Sequence, residues 1–273
     1  MEPILQDLSS VNLAAAIKSN FYDSFRRLKS SDQTDYQIGS GFERWHTPIS
    51  HPWFNGVLAS HLSDRDAARL IQDSLAYFKE HGVSAHSWWL DLSAQLDAWQ
   101  PRLAAFDYKY SHGTPGMAID LDQLPVSVAH PNTLVIQEIH DMSTFEIWSM
   151  VFKQGYELPV SVRDTLISMY VSIGLELPSR YYLGILDGQP VATSRLFLGA
   201  GVAGIYNVAT LPEARGQGIG GALTLLPLHQ ARSMGYRAGI LHSSEKGYRL
   251  YQRLGFEKLC DMDHFLWTAG SAD

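Results

Sequence analysis

The chain has 273 residues, 45% of them apolar, and a formal net charge of −7. That length and apolar share supply a large core, in one large domain or two small ones. An acidic balance with no Lys/Arg run excludes a nucleic-acid surface. Cys260 is the single cysteine, so an internal disulfide is excluded and a reducing setting is expected. No apolar run approaches the roughly 20 residues that span a bilayer. "MEPILQDLSS" lacks the basic and apolar regions of a signal peptide, which makes the cytoplasm the expected compartment.

In chain order, residues 8–29 read as an amphipathic helix behind Ser9 and Ser10. "DYQIGSGFERWH" and "WFNGVLASHL" each read as a strand, weakened by Gly39, Gly41 and Gly56. Residues 63–81 are a clear helix: Ala67, Leu70, Ile71, Leu75 and Phe78 recur at helical spacing, and Gly82 stops it. "SWWL" is a short buried strand, a helix follows near 92–104, and "GMAIDL" is a strand. The stretch 120–133 carries two prolines and few apolar anchors, and a domain boundary is expected there, giving domains 1–125 and 126–273.

Beyond the boundary, "LVIQEIHD" reads as a strand, and "STFEIWSMVFKQ" and "SVRDTLISMYVSIG" as helices. "RYYLGILDGQPVATSRLFLG" is a hairpin turning on Asp187-Gly188. The strand "VAGIYNVAT" runs into a glycine-rich stretch and a helix to Met234, in which Pro227 predicts a bend. The strand "RAGILH", a helix over 244–253 and a strand around 256–267 complete the chain. The expected class is α/β, with mixed, mostly antiparallel sheets flanked by helices.

The two halves read as distant copies. A shift of about 150 residues lays "VLASHLSDRDAARLI" over "NVATLPEARGQGIGG", with Arg65 on Arg215. Where the second half has Gly218 and Gly220, the first has Ala68 and Leu70, with Asp64 and Asp66 beside them.

The order strand, glycine-rich turn, helix carries chemistry. A helix N-terminus offers unpaired N–H groups and partial positive charge, both suited to phosphate, and glycines permit close approach. A P-loop is excluded because no Lys-Ser or Lys-Thr follows. The dinucleotide pattern fits only loosely on Gly216, Gly218 and Gly221, and a hairpin precedes it instead of a parallel unit. Arg215-Gly216-Gln217-Gly218-Ile219-Gly220 matches R/Q-x-x-G-x-G/A, the pyrophosphate loop of acyl-CoA transferases, and "LYQRLGF" (250–256) stands about thirty residues on.

On these two motifs residues 134–267 resemble the GNAT superfamily of acyl-CoA N-acyltransferases, and the whole chain resembles a tandem GNAT protein whose N-terminal half lacks a cofactor loop. The resemblance implies acetyl-CoA as co-substrate and a primary amine, on a small molecule or peptide, as acceptor. It implies that Val208, Ala209 and Thr210 pair their backbone with the pantetheine arm, and that backbone N–H groups of Gly216, Gln217, Gly218, Ile219, Gly220 and Gly221, led by Arg215, hold the pyrophosphate. Val208 N–H or a neighbour would stabilise the oxyanion. Tyr251 falls where the family places the phenol that protonates the departing thiolate, with Tyr248 as substitute. Ser244 occupies the position of a cofactor-contacting Asn, although capping its helix competes for its hydroxyl.

The strands that often carry a basic Glu in this family read "AGIYNVAT" and "RAGILH", without a carboxylate. His242, acting through a water, is the expected base, while Tyr206, Asn207 and Glu245 are alternatives for ordering such a water. The expected chemistry is direct attack in a ternary complex, and an acyl-cysteine on Cys260 is disfavoured. A sensor that holds acyl-CoA without turnover is the competing reading. His46/His51 and His81/His86 fit no helical metal face, so no metal is expected. Trp88-Trp89 is read as packing. The sequence leaves acceptor identity and oligomeric state open.

Overall fold

A computed structural model of the chain describes residues 3–49, 51–90, 94–158, 165–169 and 173–269. The N-terminal amphipathic segment forms α1 (Ser10–Arg26). The stretch 35–46, expected as one strand, is a hairpin of β1 (Asp35–Gly39) and β2 (Phe42–His46). Gly41, at φ +79°, supplies the turn. Next come β3 (Gly56–Ala59), α2 (Asp64–Glu80), β4 (Ala85–Leu90), α3 (Leu96–Ala104) and β5 (Lys109–Asp120). The second half of the sequence supplies β6 (Leu134–Glu138), α4 (Met142–Gly155), β7 (Ser179–Leu186), β8 (Gln189–Gly199) and β9 (Val202–Thr210). It ends with α5 (Ile219–Ser233), β10 (Ala238–His242), α6 (Glu245–Arg253) and β11 (Glu257–Thr268).

Most of the sequence-derived order is present. Asp187 (φ 51°) and Gly188 (φ 78°) both adopt left-handed conformations, as a tight hairpin turn between β7 and β8 requires. Residues 165–169 and Ile173 are helical and Gly174 is not, while 161–164 and 170–172 of the expected helix lie outside the described residues. Helix α5 runs through Pro227 to Ser233.

Two compact units result. The larger comprises Met1–Arg27 and Thr114–Asp261, the smaller Leu28–Gly113 and Met262–Asp273. The expected cut between 125 and 126 falls inside the larger unit. Two contributions from the first half of the sequence explain this. The buried Asn20 of α1 donates to Gly199 O at 2.8 Å, and Gly116–Asp120 of β5 pair antiparallel with β10.

In the larger unit the strand order is β5-β10-β9-β8-β7-β6, antiparallel except for the parallel pair β9–β10. Successive strand residues face opposite sides of a sheet. Tyr181 of β7 packs on Trp148 of α4 at 5.3 Å between ring centroids, whereas its neighbour Tyr182 bonds Gln230 of α5. Helices α4 and α5 therefore cover opposite faces. Leu196, Leu198, Ile205, Leu223, Leu228 and Leu241 fill the α5 side.

In the smaller unit the order is β1-β2-β3-β4-β11, antiparallel except for the parallel pair β3–β4, which α2 connects. Ile71, Phe78, Trp88, Trp99, Leu103 and Phe265 form its core. Trp88 is fully buried and Trp89 stacks on His264 at 4.4 Å, so the paired indoles are packing residues. The internal plan matches that of the larger unit: two antiparallel steps, then a helix crossover to a parallel strand. Among the described residues, no helix is long and apolar enough to cross a membrane.

Candidate active site

The site begins where the β9–β10 ladder stops. Their parallel pairing covers Ala203–Ile205 against Gly239–Leu241. Past Ile205 the outer edge of β9 has no strand partner among the described residues. On its other edge β9 shifts register against β8 between Thr193 and Arg195. The extra residue is Asn207, held at φ 54° with its carbonyl accepting from Thr193 Oγ1 at 2.8 Å. A bulge of this kind bends a strand and re-aims the residues beyond it. Here those residues are Val208, Ala209 and Thr210.

After a 3-10 turn at Pro212–Ala214 the chain enters the glycine loop. Gly216 and Gly218 both take left-handed φ values, 77° and 78°. Gly218 is the N-cap of α5, and among the described residues no side chain caps that end or adds a carboxylate to its first turn. The leading N–H groups of α5 therefore lack side-chain acceptors, in the arrangement that suits an anion. The glycines have different duties. A Cβ on Gly218 would collide with the carbonyl oxygen of Ala129, so this position is small for packing as well as for conformation. A Cβ on Gly220 would face Leu250 at 3.5 Å, Thr210 at 3.8 Å and Val208 at 3.9 Å. Arg215 clamps the loop, donating from Nε to Thr210 O at 2.9 Å and from a terminal nitrogen to Gly155 O at 3.4 Å.

Across from the loop stands α6. Ser244 caps it, accepting from Gly247 N at 3.2 Å, so the hydroxyl serves the helix end. Gly247 leaves room for the Tyr251 ring, whose edge lies 2.9 Å from where a Cβ would stand. Burial holds the Tyr251 phenol above its ordinary range, Tyr156 adds to the rise, and a hydrogen bond with Thr224 opposes it. Thr224 in turn donates to Gly220 O at 2.8 Å, which ties the phenol to the first turn of α5. Tyr156, just past α4, donates to Val208 O at 3.2 Å, and burial pushes its phenol up to about 12.

One cavity of about 590 Å³ joins these parts. Val208, Ala209, Thr210, Arg215, Gly216, Gly218, Ile219, Gly220, Gly221, Ser244 and Tyr251, all singled out from sequence, line it; Gln217 and His242 do not. Gly155, Tyr156, Glu157 and Lys246 join the lining unannounced by any motif, while Leu250 and Arg253 lie within LYQRLGF. Lys246 and Arg253 had a readable signal, since they share a helix with Tyr251. The lining residues at the end of α4 carry none, because nothing in their spacing links them to a loop sixty positions away. Glu157, at φ 57°, is the one carboxylate among the described lining residues.

His242 does not have the surroundings of a base. It is half-buried at the end of β10, with its ring edge-on to Phe21 of α1 at 4.6 Å. Both ring nitrogens are enclosed and without hydrogen-bond partners among the described residues. Burial pulls its pKa down to about 3, so the ring is neutral at physiological pH. Taking a proton from a lysine-like ammonium would be uphill by about 7 units, on the order of 10 kcal/mol. Beside it, Tyr206 donates to Asn20 Oδ1 at 2.6 Å, which anchors α1 against β9.

A parallel strand pair that opens at a bulge, beside an uncapped glycine-led helix, defines a class, and comparison with known proteins agrees. Residues 178–258 match the model of the acetyltransferase (GNAT) domain. A GCN5-related N-acetyltransferase from Kribbella flavida superposes with a TM-score of 0.68 at 16% identity, over 98% of each chain. A GCN5-related N-acetyltransferase from Sphaerobacter thermophilus gives 0.61 at 17% identity, over 84% of this chain and 80% of its own. A tandem GNAT protein from the clavulanic acid biosynthesis pathway gives 0.58 at 16% identity, over 97% and 96%. No curated protein matches in sequence. Residues 178–258 thus resemble a GNAT domain, and over 98% of its length the chain has the fold of a GCN5-related N-acetyltransferase.

Proposed function

We propose that this protein is an acetyl-CoA-dependent N-acetyltransferase acting on a primary amine, of a small molecule or peptide, by direct attack in a ternary complex. The observation that carries the proposal is the uncapped N-terminus of α5 opening into the cavity, with Gly220 facing that space and Arg215, Lys246 and Arg253 around it. Three cations and a helix N-terminus suit the phosphates of acetyl-CoA. The unpaired edge of Val208–Thr210 suits the amide-bearing pantetheine arm, which would add to it as an extended strand does.

With the thioester beyond Val208, the free amine attacks its carbonyl carbon and the tetrahedral oxyanion forms within reach of a backbone N–H there. Collapse breaks the carbon–sulfur bond, Tyr251 passes its proton to the thiolate, and the proton shed by the attacking nitrogen restores the phenol through solvent. Burial disfavours a phenolate and a thiolate alike, so their relative acidities move together. Tyr156 holds the carbonyl of Val208 and so positions that stretch of β9. Glu157 accepts a hydrogen bond from the acceptor amine, and His242 takes no part in proton transfer. In this reading the amine enters already deprotonated, from the minor fraction present in solution.

The smaller unit is a degenerate copy without a cofactor site. Its counterpart to the glycine loop is closed by its own side chains: Asp66 N donates to Ser63 Oγ at 3.2 Å, and Asp64 and Asp66 occupy the first turn of α2. Those carboxylates would repel a phosphate.

The test is CoA release from acetyl-CoA across a panel of amino acids, polyamines, aminoglycosides and peptides, with Tyr251→Phe alongside. Turnover by the parent and a loss of about 10²-fold in kcat in the variant, with acetyl-CoA affinity kept, is the expected result. Tight acetyl-CoA binding with no turnover on any amine would favour a sensor.

A further inference from the structure

The smaller unit brings together three side chains that lie far apart in sequence. Asp35 of β1 and His46 of β2 are directly paired across the hairpin, and His81 caps the C-terminus of α2. One ligand atom from each lies within 4.8 Å of the other two. The imidazoles of His46 and His81 are 4.3 Å apart between centroids. His81 Nδ1 sits 2.8 Å from the backbone carbonyl of Tyr77, so Nδ1–H donates there and Nε2 keeps its lone pair. That outer contact is the one by which metal-ligating histidines are oriented. Tyr77 supplies a fourth oxygen: its hydroxyl is 2.6 Å from His46 Nδ1 and donates to Asp35 Oδ2 at 2.9 Å. The nearby cation, Arg44, is engaged with Gln37 Oε1 at 2.5 Å, Ser74 Oγ at 3.3 Å and the face of Tyr77.

We infer that Asp35, His46 and His81 form a binding site for a divalent transition-metal ion, with Zn²⁺ the best chemical match. Two imidazoles and one carboxylate select borderline ions over Mg²⁺ and Ca²⁺, which want oxygen shells. Metal–ligand bonds of about 2.1 Å place tetrahedral ligands roughly 3.4 Å apart. His46 Nδ1 and Asp35 Oδ2 stand 4.0 Å apart with the Tyr77 hydroxyl bonded to both, so an ion entering between them displaces that hydroxyl or takes it as a ligand. His81 is exposed, which gives the ion a path from solvent, and three protein ligands leave a position for water or Tyr77. An ion there would tie the C-terminus of α2 to the β1–β2 hairpin. None of these residues lines the cavity between β9 and α6, so the site is independent of acetyl transfer.

The experiment is calorimetric titration of the untagged full chain with Zn²⁺, for the parent, His81→Ala and Asp35→Asn, with thermal melting of each. His81 is exposed, and Asp35→Asn keeps an acceptor for the Tyr77 hydroxyl, so both variants should fold; unchanged metal-free melting points check this. The expected result is one Zn²⁺ per parent chain, at least tenfold weaker binding in both variants, and a zinc-dependent rise in melting temperature confined to the parent. No stoichiometric binding by the parent, or equal binding by all three proteins, would overturn the inference.

Discussion

Tyr251 and His242, the expected acid and base, show how environment keeps one role and removes the other. Both are sheltered, yet burial keeps the phenol protonated and keeps the imidazole neutral, because in each case it penalises the charged form. The sign for a pH profile follows. His242 is already neutral above about pH 3, so it loses no proton near the ordinary histidine value of about 6.5. With Tyr251 held above the usual tyrosine value, this phenol keeps its proton up to about pH 10. Measured as kcat/KM against pH, activity should rise steadily as the acceptor amine deprotonates, with neither an inflection near 6.5 nor a fall before 10. An inflection near 6.5 that vanishes in His242→Gln would restore the histidine as base. The LYQRLGF motif located Tyr251, whereas His242 was the candidate left on strands without a carboxylate. Burial sets the protonation state of each, with Phe21 beside His242 and Tyr156 acting on Tyr251, neighbours that sequence could not bring near.

At the scale of elements, the glycine loop was the most legible feature, and its individual glycines the least. Spacing marked Gly216, Gly218 and Gly220 as one anion cradle. The structure separates them: Gly216 has open space, Gly218 touches the backbone of Ala129, and Gly220 faces the cavity. Both Gly216→Ala and Gly218→Ala strain a left-handed backbone, at about 1–2 kcal/mol. Only Gly218→Ala also displaces the segment around Ala129. Denaturant unfolding should therefore show Gly218→Ala losing clearly more stability than Gly216→Ala, and equal losses would contradict the packing role. The hairpin at 35–46 is a second lesson. Ser40-Gly41 is a turn signal that alternation of apolar residues hid within an apparent single strand.

For the whole molecule, sequence order misleads about what folds with what. Composition changes at 120–133 look like a boundary, but α1 and the end of β5 belong with the second half. No local pattern could reveal this, because Asn20 meets Gly199 and Tyr206 across nearly the full length of the chain. A fragment of residues 126–273 would leave a face of β8 and β9 without α1 and the edge of β10 without β5. Such a fragment should lack a cooperative melting transition by calorimetry, and a sharp transition would show that the C-terminal half is self-sufficient. A likeness between the halves was legible as a weak alignment, and each unit contains a run of strand, strand, strand, helix and parallel strand. What distinguishes the units is one helix N-terminus, open above Gly218 and closed by Ser63 and Asp66.

That difference makes acetyl-CoA binding the most direct measurement. Isothermal titration of the intact chain should give close to one site per chain. Gly220→Glu, which points a carboxylate at Thr210 and Val208 while leaving the Ala129 contact intact, should abolish binding without lowering the melting temperature. Absence of binding by the parent, or undiminished binding by Gly220→Glu, would contradict the assignment of this cavity to the cofactor.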